Sequence, residues 1–516
     1  MRKADKLFDL IKSLSKTEKG YFKKHSSKHI VGDKNNYVKI FEVIDTLKEY
    51  DEKKIKEAFK GQKLANHLSS EKDYLYQNIL NSLIAYHSDN SPTYKLYKYI
   101  NQISLLYDKA LYVQCKKLLI KAKKLAILMD EFPIIFELIK YDKKLLVFES
   151  NLKIIKENRE AIIKEENRII SIYQNFISIW NLYSEIMMIN RSAGSTSIKE
   201  LKKNFKNVID NPILKSIDNA MSVTAKSFWQ QIFSVYYYAI RDFDNWYIIS
   251  EEMVDFIEKH PHLLASAPYR YVISLSNLLI GHQVTGNTGK SFQENLKKYR
   301  AIEVKDKNIE TLIFTNSYNL ELTTYTYSGD FVAAEKVANK IIDLLPKYNP
   351  FIGPTQEAII VYNISYVYFG LENYDKALDW INKILYDIKL DIRQDVYCFA
   401  KLFSLIVHYE LNNMLLINSY AISTKKYLDK REVITNTEVI FLKFLKKISD
   451  TYGKKNIIEA FKKLKIELTE NFKNDSEKSF LQYFDILDWI ESKIVEVPFK
   501  TIIQKKHSKT KNLNVF

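Results

Sequence analysis

Only 20 of the 516 residues are glycine or proline, 11 and 9 respectively, and this scarcity constrains the fold more than any other feature. Average usage is about 7% glycine and 5% proline. A sheet needs a turn every few residues, and turns draw on Gly, Pro, Asn and Asp for positive φ, fixed φ or local hydrogen bonds. Long helices need far fewer. With 46% of residues hydrophobic, a large core is available, and the chain reads as all-α. Length alone is compatible with roughly three globular domains or with one long repeat structure.

The first ninety residues form a basic helical N-terminal module. "ADKLFDLIKSL" sets Leu7, Leu10, Ile11 and Leu14 at helical spacing. Ser15 followed by Glu18 is a capping-box pattern that stops one helix and starts the next. Tyr37, Ile40, Phe41, Ile44 and Leu47 mark another amphipathic segment, Gly61 a helix stop, and "SSEKDYLYQNILNSLIAYH" a helix opened by a serine cap. The polar "SDNSP" at 88–92 is a boundary. Paired helical segments then run from 94 to 430, capping helices from 431 to 499, and a basic tail, expected to fray, from 500 to 516.

Net charge is +16, and only nine of the 78 basic residues are arginine. A basic balance is compatible with nucleic acid, acidic protein or anionic lipid as partner. Lys, Asn, Ile and Tyr also share A/T-rich codons, so genome composition offers a second account, and arginine, the better bidentate phosphate ligand, is depleted. Cys115 and Cys398 are too far apart in sequence for a C-x-x-C motif and read as buried free thiols in a reducing compartment. The opening "MRKADKLFDLIKSL" lacks the apolar run of a signal peptide, and no stretch approaches ~18 consecutive apolar residues. A cytoplasmic location without a membrane span is expected.

A weak repeat runs through the middle of the chain. In "YNLELTTYTYSGDFVAAEKVANKIIDLLP", Tyr325, Gly329, Phe331, Ala334 and Pro346 are spaced 4, 2, 3 and 12 apart. In "YNISYVYFGLENYDKALDWINKIL", Tyr368, Glu372, Tyr374 and Ala377 repeat the 4, 2, 3 spacing, and the two alanines lie 43 residues apart. This pattern resembles the tetratricopeptide repeat, a helix-turn-helix unit of 34 residues. The match is good over 315–390 and looser over 225–430. There Asp244 stands at the turn and Ile249 at the packing position of one unit, and Tyr409, Asn413 and Asn418 take the aromatic, turn and packing positions of another. The resemblance implies an α-solenoid of antiparallel helix pairs, each burying its apolar face on its neighbours.

"GHQVTGNTGKS", residues 281–291, ends like a phosphate-binding loop. A G-x-x-x-x-G-K-[ST] loop requires glycine at 284, which is Val284, and a strand before it. A helical segment precedes it instead, and a turn between repeats is due near 286. The stretch reads as a corner. His25 and His29 make at most half a metal site, His260 and His262 flank Pro261 as loop residues, and His408 reads as packed. No nucleophile motif is present, so the chain is expected to be a binding protein with no catalysis, cofactor or metal.

Two binding surfaces are candidates. The repeat resemblance implies a concave face lined by first helices, with Asn316, Asn319, Thr323 and Thr326 on one and Tyr362, Tyr366 and Phe369 on the next. Such a face takes a protein or peptide partner, with Asn pairing to backbone and Tyr supplying rigid contact area; packing inside the stack is the alternative role for the tyrosines. Tyrosine stands where some members of that family carry the Lys and Asn of a carboxylate clamp, so no clamp is expected. The other surface is a basic patch of Lys12, Lys16, Lys19, Lys23, Lys24 and Lys28, which would contact nucleic acid through phosphates, although the stretch from Gly61 to Ser69 is long for a helix-turn-helix. "LFDLIKSLSKTEKGYFKKH" resembles the start of a group of Bacteroidota helical-repeat proteins of about this length, a likeness that carries no activity with it. Partner identity and oligomeric state are open.

Overall fold

The computed structural model describes residues 5–27, 36–47, 49–61, 67–88, 91–192, 198–266, 268–304, 306–388, 394–430, 435–474, 477, 481 and 484–513. Every regular element among them is helical, and successive helices pack neighbour on neighbour. The chain is an all-α, solenoid-like fold. It divides into two compact units, Met1–Tyr236 with Phe256–Ala267, and Tyr237–Asp255 with Pro268–Phe516.

The first unit opens with α1 (Lys6–Ser13), α2 (Lys16–Ser27), α3 (Asn36–Thr46), α4 (Glu52–Ala58) and α5 (Leu68–His87). Their core holds Leu7, Ile11, Phe22, Phe41, Leu75 and Ile79. The Ser15–Glu18 capping box forms reciprocally: the Ser15 N–H donates to Glu18 Oε2 at 2.8 Å and the Glu18 N–H to Ser15 Oγ at 3.3 Å. Asp5 and Asp51 cap α1 and α4 in the same chemistry. The expected serine cap of α5 does not form, because Ser69 and Ser70 lie inside the helix and His67 holds the cap position. Next come α6 (Pro92–Asp108), α7 (Tyr112–Leu128), α8 (Phe132–Leu146), the 41-residue α9 (Leu152–Ser192) and α10 (Ile198–Ile209). At 1.5 Å per residue α9 is about 60 Å long, and it presents Ile169 and Ile172 to a core of Leu119, Ile135 and Leu138.

Then follow α11 (Val223–Ala239), α12 (Phe243–Glu258), α13 (Pro261–Ser266), α14 (Pro268–Val284), α15 (Lys290–Arg300), α16 (Lys307–Ser328), α17 (Phe331–Tyr348), α18 (Pro354–Gly370) and α19 (Tyr374–Asn382). The last are α20 (Gln394–Glu410), α21 (Met414–Lys430), α22 (Asn436–Ile448), α23 (Lys454–Asn471), α24 (Ile486–Val495) and α25 (Phe499–Leu513). The segment expected to fray is therefore helix as far as Leu513. Phe499 and Ile503 anchor it, 3% and 4% exposed.

One turn recurs. Ala110, Asp130, Arg241, Gly329, Glu372 and Asn412 all take left-handed φ, from 53° to 75°. In each case the N–H of the following residue donates to the carbonyl five residues back, as Asp330 to Tyr325, Asn373 to Tyr368 and Asn413 to His408, all at 2.9 Å. The left-handed residue's own N–H donates three residues back. This is the Schellman closure, which satisfies carbonyls that a helix end leaves open. Two residues past the turn, Tyr112, Phe132, Phe243, Phe331, Tyr374 or Met414 starts the next helix. Three further on, Cys115, Ile135, Trp246, Ala334, Ala377 and Ile417 are buried.

This register corrects several readings of the outer units. Arg241 makes the turn before α12, and Asp244 lies in the helix; the packing position is Trp246, not Ile249. Asn412 turns in place of Asn413, which puts His408 and Ile417 where Tyr409 and Asn418 were expected. Pro346 sits inside the last turn of α17, which ends at Tyr348. No glycine marks the turn at Arg241 or Asn412, and no alanine marks the packing position that follows, whereas at the equally non-glycine Glu372 the alanine at 377 fixes the register.

The 281–291 stretch is a corner between α14 and α15. Gly286 has φ 75°, and Lys290 is 91% exposed at the start of α15, 3.7 Å from Glu294. Among the repeats Gly370 has a distinct role. A Cβ there would lie 2.1 to 2.4 Å from three ring atoms of Phe331, so the phenyl ring occupies the space of the missing side chain.

Candidate functional site

Within the second unit, α18 packs against both α16 and α20. These are the first helices of successive hairpins, and their exposed edges would form an open groove. Leu481, residues 484–488 and α25 cover it, which leaves a cavity of about 450 Å³, within the range of about 300–1,000 Å³ seen for ligand pockets. Thr323, Thr326 and Tyr327 come from α16, and Tyr362, Asn363 and Tyr366 from α18. Phe484, Asp485, Asp488, Lys506 and His507 add to the wall from the C-terminal segment.

The polar geometry is asymmetric. Lys506 Nζ lies 2.8 Å from Asp488 Oδ2 but 3.4 Å from Asp485 Oδ1, and its side chain is 59% exposed. The Tyr366 hydroxyl donates to Asp485 Oδ2 at 3.4 Å. Burial pushes the Asp485 carboxyl above its ordinary range, with a smaller push from Asp488, while Lys506 opposes both. Burial also holds the Tyr366 hydroxyl well above its ordinary value, with the Asp485 charge adding to it. For Lys506, burial works downward, but the bond to Asp488 and the charge of Asp485 outweigh it and leave the ammonium harder to deprotonate.

Four of the seven residues the repeat pattern assigns to a concave face line this cavity: Thr323, Thr326, Tyr362 and Tyr366. Tyr362 is only 5% exposed and its ring packs at a tilt against Phe403, centroids 5.4 Å apart, so it belongs to the core and to the cavity wall at once. The other three point elsewhere. Asn316 Nδ2 donates to Ser276 Oγ of α14 at 3.2 Å. Asn319 Oδ1 accepts from Asn363 Nδ2 at 2.5 Å, a bond between α16 and α18. Phe369 is packed against Phe403, Phe484 and Phe499. Asp485, Asp488 and Lys506 escaped the sequence reading because they approach from helices more than a hundred residues downstream, with no local motif to mark them.

Three lysines of the basic patch expected from the sequence bond to α3. Lys19 Nζ lies 2.5 Å from Asp45, Lys23 lies 3.0 Å from Glu42, and Lys12 donates to the Asp45 carbonyl at 2.6 Å. Lys16 and Lys24 are exposed on α2; Lys28 lies outside the described residues, as does His29. Nine residues separate α4 from α5, longer than a helix-turn-helix connection of 3–4 residues. Among the described residues no group of three or more His, Cys, Asp or Glu is placed to hold a metal ion, and no helix is long and apolar enough to cross a membrane. Cys115 and Cys398 are both buried, and neither is in a disulfide.

In comparisons with known proteins, no family model and no curated sequence matches the chain.

Proposed function

We propose that the chain is a non-catalytic binding protein whose tetratricopeptide-like helical array recognises a protein or peptide partner through the surface around the α16–α18–α20 cavity. The observation that carries this reading is the cavity itself, walled by residues of consecutive first helices and about 450 Å³ in volume. Repeat arrays present surfaces built from such helices. Covering by α25 narrows the site, so a partner would insert side chains or a chain end and would not lie along an open channel. The aromatic lining supplies apolar contact area, and Asn363 and the carboxylates supply orientation.

Affinity purification of the tagged chain from its host, with half the lysate treated with nuclease, tests the reading. A defined protein partner that survives nuclease and is lost when Tyr327 and Tyr366 are replaced by alanine supports it. The alternative is a nucleic-acid-binding regulator acting through residues 1–90. It has less support, since Lys12, Lys19 and Lys23 already bond to α3. It requires partners that vanish with nuclease, and binding whose steep salt dependence disappears when residues 1–90 are removed.

A further inference from the structure

Asp485 occupies the N-cap position of α24, where an aspartate ordinarily accepts a hydrogen bond from the first free N–H groups of the helix. It makes no such side-chain bond. Its carboxylate lines the cavity instead, where its two contacts, from Tyr366 and Lys506, are each 3.4 Å long. Asp488 stands one helical turn on, 15% exposed, and takes the shorter bond from Lys506. Two carboxylates therefore share one ammonium, which sits on the solvent side. The two carboxylates line the same cavity as Tyr327, Tyr362 and Tyr366, with Lys506 and His507 also in the lining; tyrosine ring faces attract cations and their bodies accept apolar groups.

We propose that this cavity is a binding site for an organic ammonium group, with Asp485 as its counter-ion and the tyrosines as its apolar and cation–π wall. Lys506 is the internal stand-in, a primary ammonium already held by the same acids. The inference rests on the cavity being the functional site and adds the chemistry of what enters it. That ammonium can belong to a small amine or to a lysine side chain of a partner, since both present the same group on an apolar arm.

The experiment is calorimetric titration of the full chain with 2-phenylethylammonium, with its neutral isostere 2-phenylethanol, with 3-phenylpropionate, and with a lysine tripeptide blocked at both ends. The ammonium or the tripeptide binds at least tenfold more tightly than the alcohol and the carboxylate. Binding by the free amine alone identifies a small-molecule site, and binding by the tripeptide alone identifies a lysine-bearing partner. Asp485→Asn weakens binding by tenfold or more; because Asp485 makes no capping bond, the variant folds, and its helicity is checked by circular dichroism. Lys506→Met, which removes the internal competitor, tightens binding severalfold. Preference for the carboxylate, no ammonium binding at millimolar concentration by a folded chain, or affinity unchanged in Asp485→Asn overturns the proposal. A protein partner retained equally by Asp485→Asn leaves the scaffold reading standing while this one fails. Ammonium binding with no recoverable protein partner does the reverse.

Discussion

Replacing Gly370 with alanine sets two physical effects against each other. Gly370 is the last residue of α18 and has no positive φ, so alanine gains up to about 1 kcal/mol of helix propensity. Against this, the new Cβ would lie 2.1 Å from Phe331 Cε1 and 2.2 Å from Cδ1. Phe331 is 1% exposed, and its ring centroid lies 6.0 Å from that of Tyr366 and 6.3 Å from that of Phe499, so the ring has little room to turn away. Forcing a methyl group into a filled core costs about 1–3 kcal/mol, and the upper end applies where the neighbour is fixed. The net expectation is a loss of about 2 kcal/mol. Urea denaturation followed by far-ultraviolet circular dichroism measures it. Phe331→Leu in the same chain should recover most of the loss, giving a coupling of about 1–3 kcal/mol between the two sites. A Gly370→Ala chain as stable as the original, or one whose loss is unchanged in the Phe331→Leu background, would show that the contact does not govern this position.

Glu372, left-handed at φ 60°, should behave in the opposite way. Glycine there relieves about 1–2 kcal/mol of backbone strain against about 0.5–1 kcal/mol of lost chain freedom, so Glu372→Gly stabilises by about 0.5–1 kcal/mol in the same denaturation assay. Lys123 lies 2.7 Å from Asp142 and 2.5 Å from Glu165, with all three side chains less than a third exposed; Lys123→Met leaves two acids unpaired and should cost the first unit about 1–3 kcal/mol, an effect absent if protease resistance is unchanged. Hydrogen bonds from Lys307 and Lys347 lower Glu310 to about 2. Its folded value lies below the unfolded one, so its stabilisation is complete above the unfolded carboxylate range and is lost as pH falls toward about 2; Glu310→Gln should flatten that limb of the stability curve. Asp485 has the opposite sign, since its raised value makes the folded chain take up a proton more readily than the unfolded one. Carbon-13 NMR should find its carboxyl titrating above free aspartate, and higher still in Lys506→Met.

How much of this was legible beforehand follows from the range over which each feature acts. Helix or strand is decided over a few neighbouring residues, and the scarcity of glycine and proline with apolar residues at helical spacing specifies an all-α chain. The Ser15–Glu18 box closes over three residues and could be read directly. Ala334 and Ala377 are legible for the same reason: each lies a fixed five residues beyond a turn, at a position with no exposure. Register was lost at Arg241 and Asn412, where neither a glycine at the turn nor an alanine five residues on marks the left-handed closure that the backbone makes.

The cavity belongs to a different scale. Thr323, Thr326, Tyr362 and Tyr366 follow from the repeat, but a helix face is a stripe, and the neighbour decides which part of it is core. Asn316 and Phe369 lie on that stripe, and α14 and α25 cover them. Sequence by itself determined the helices, the hairpin repeat and the residues available for burial, because those depend on local hydrogen bonding and periodicity. Only the tertiary structure decided that residues 484–506 return to α16 and α18, bring two carboxylates to a tyrosine wall and turn a groove into a pocket. That return joins segments more than a hundred residues apart, and it is held by the buried rings of Phe484 and Phe499 rather than by any local pattern.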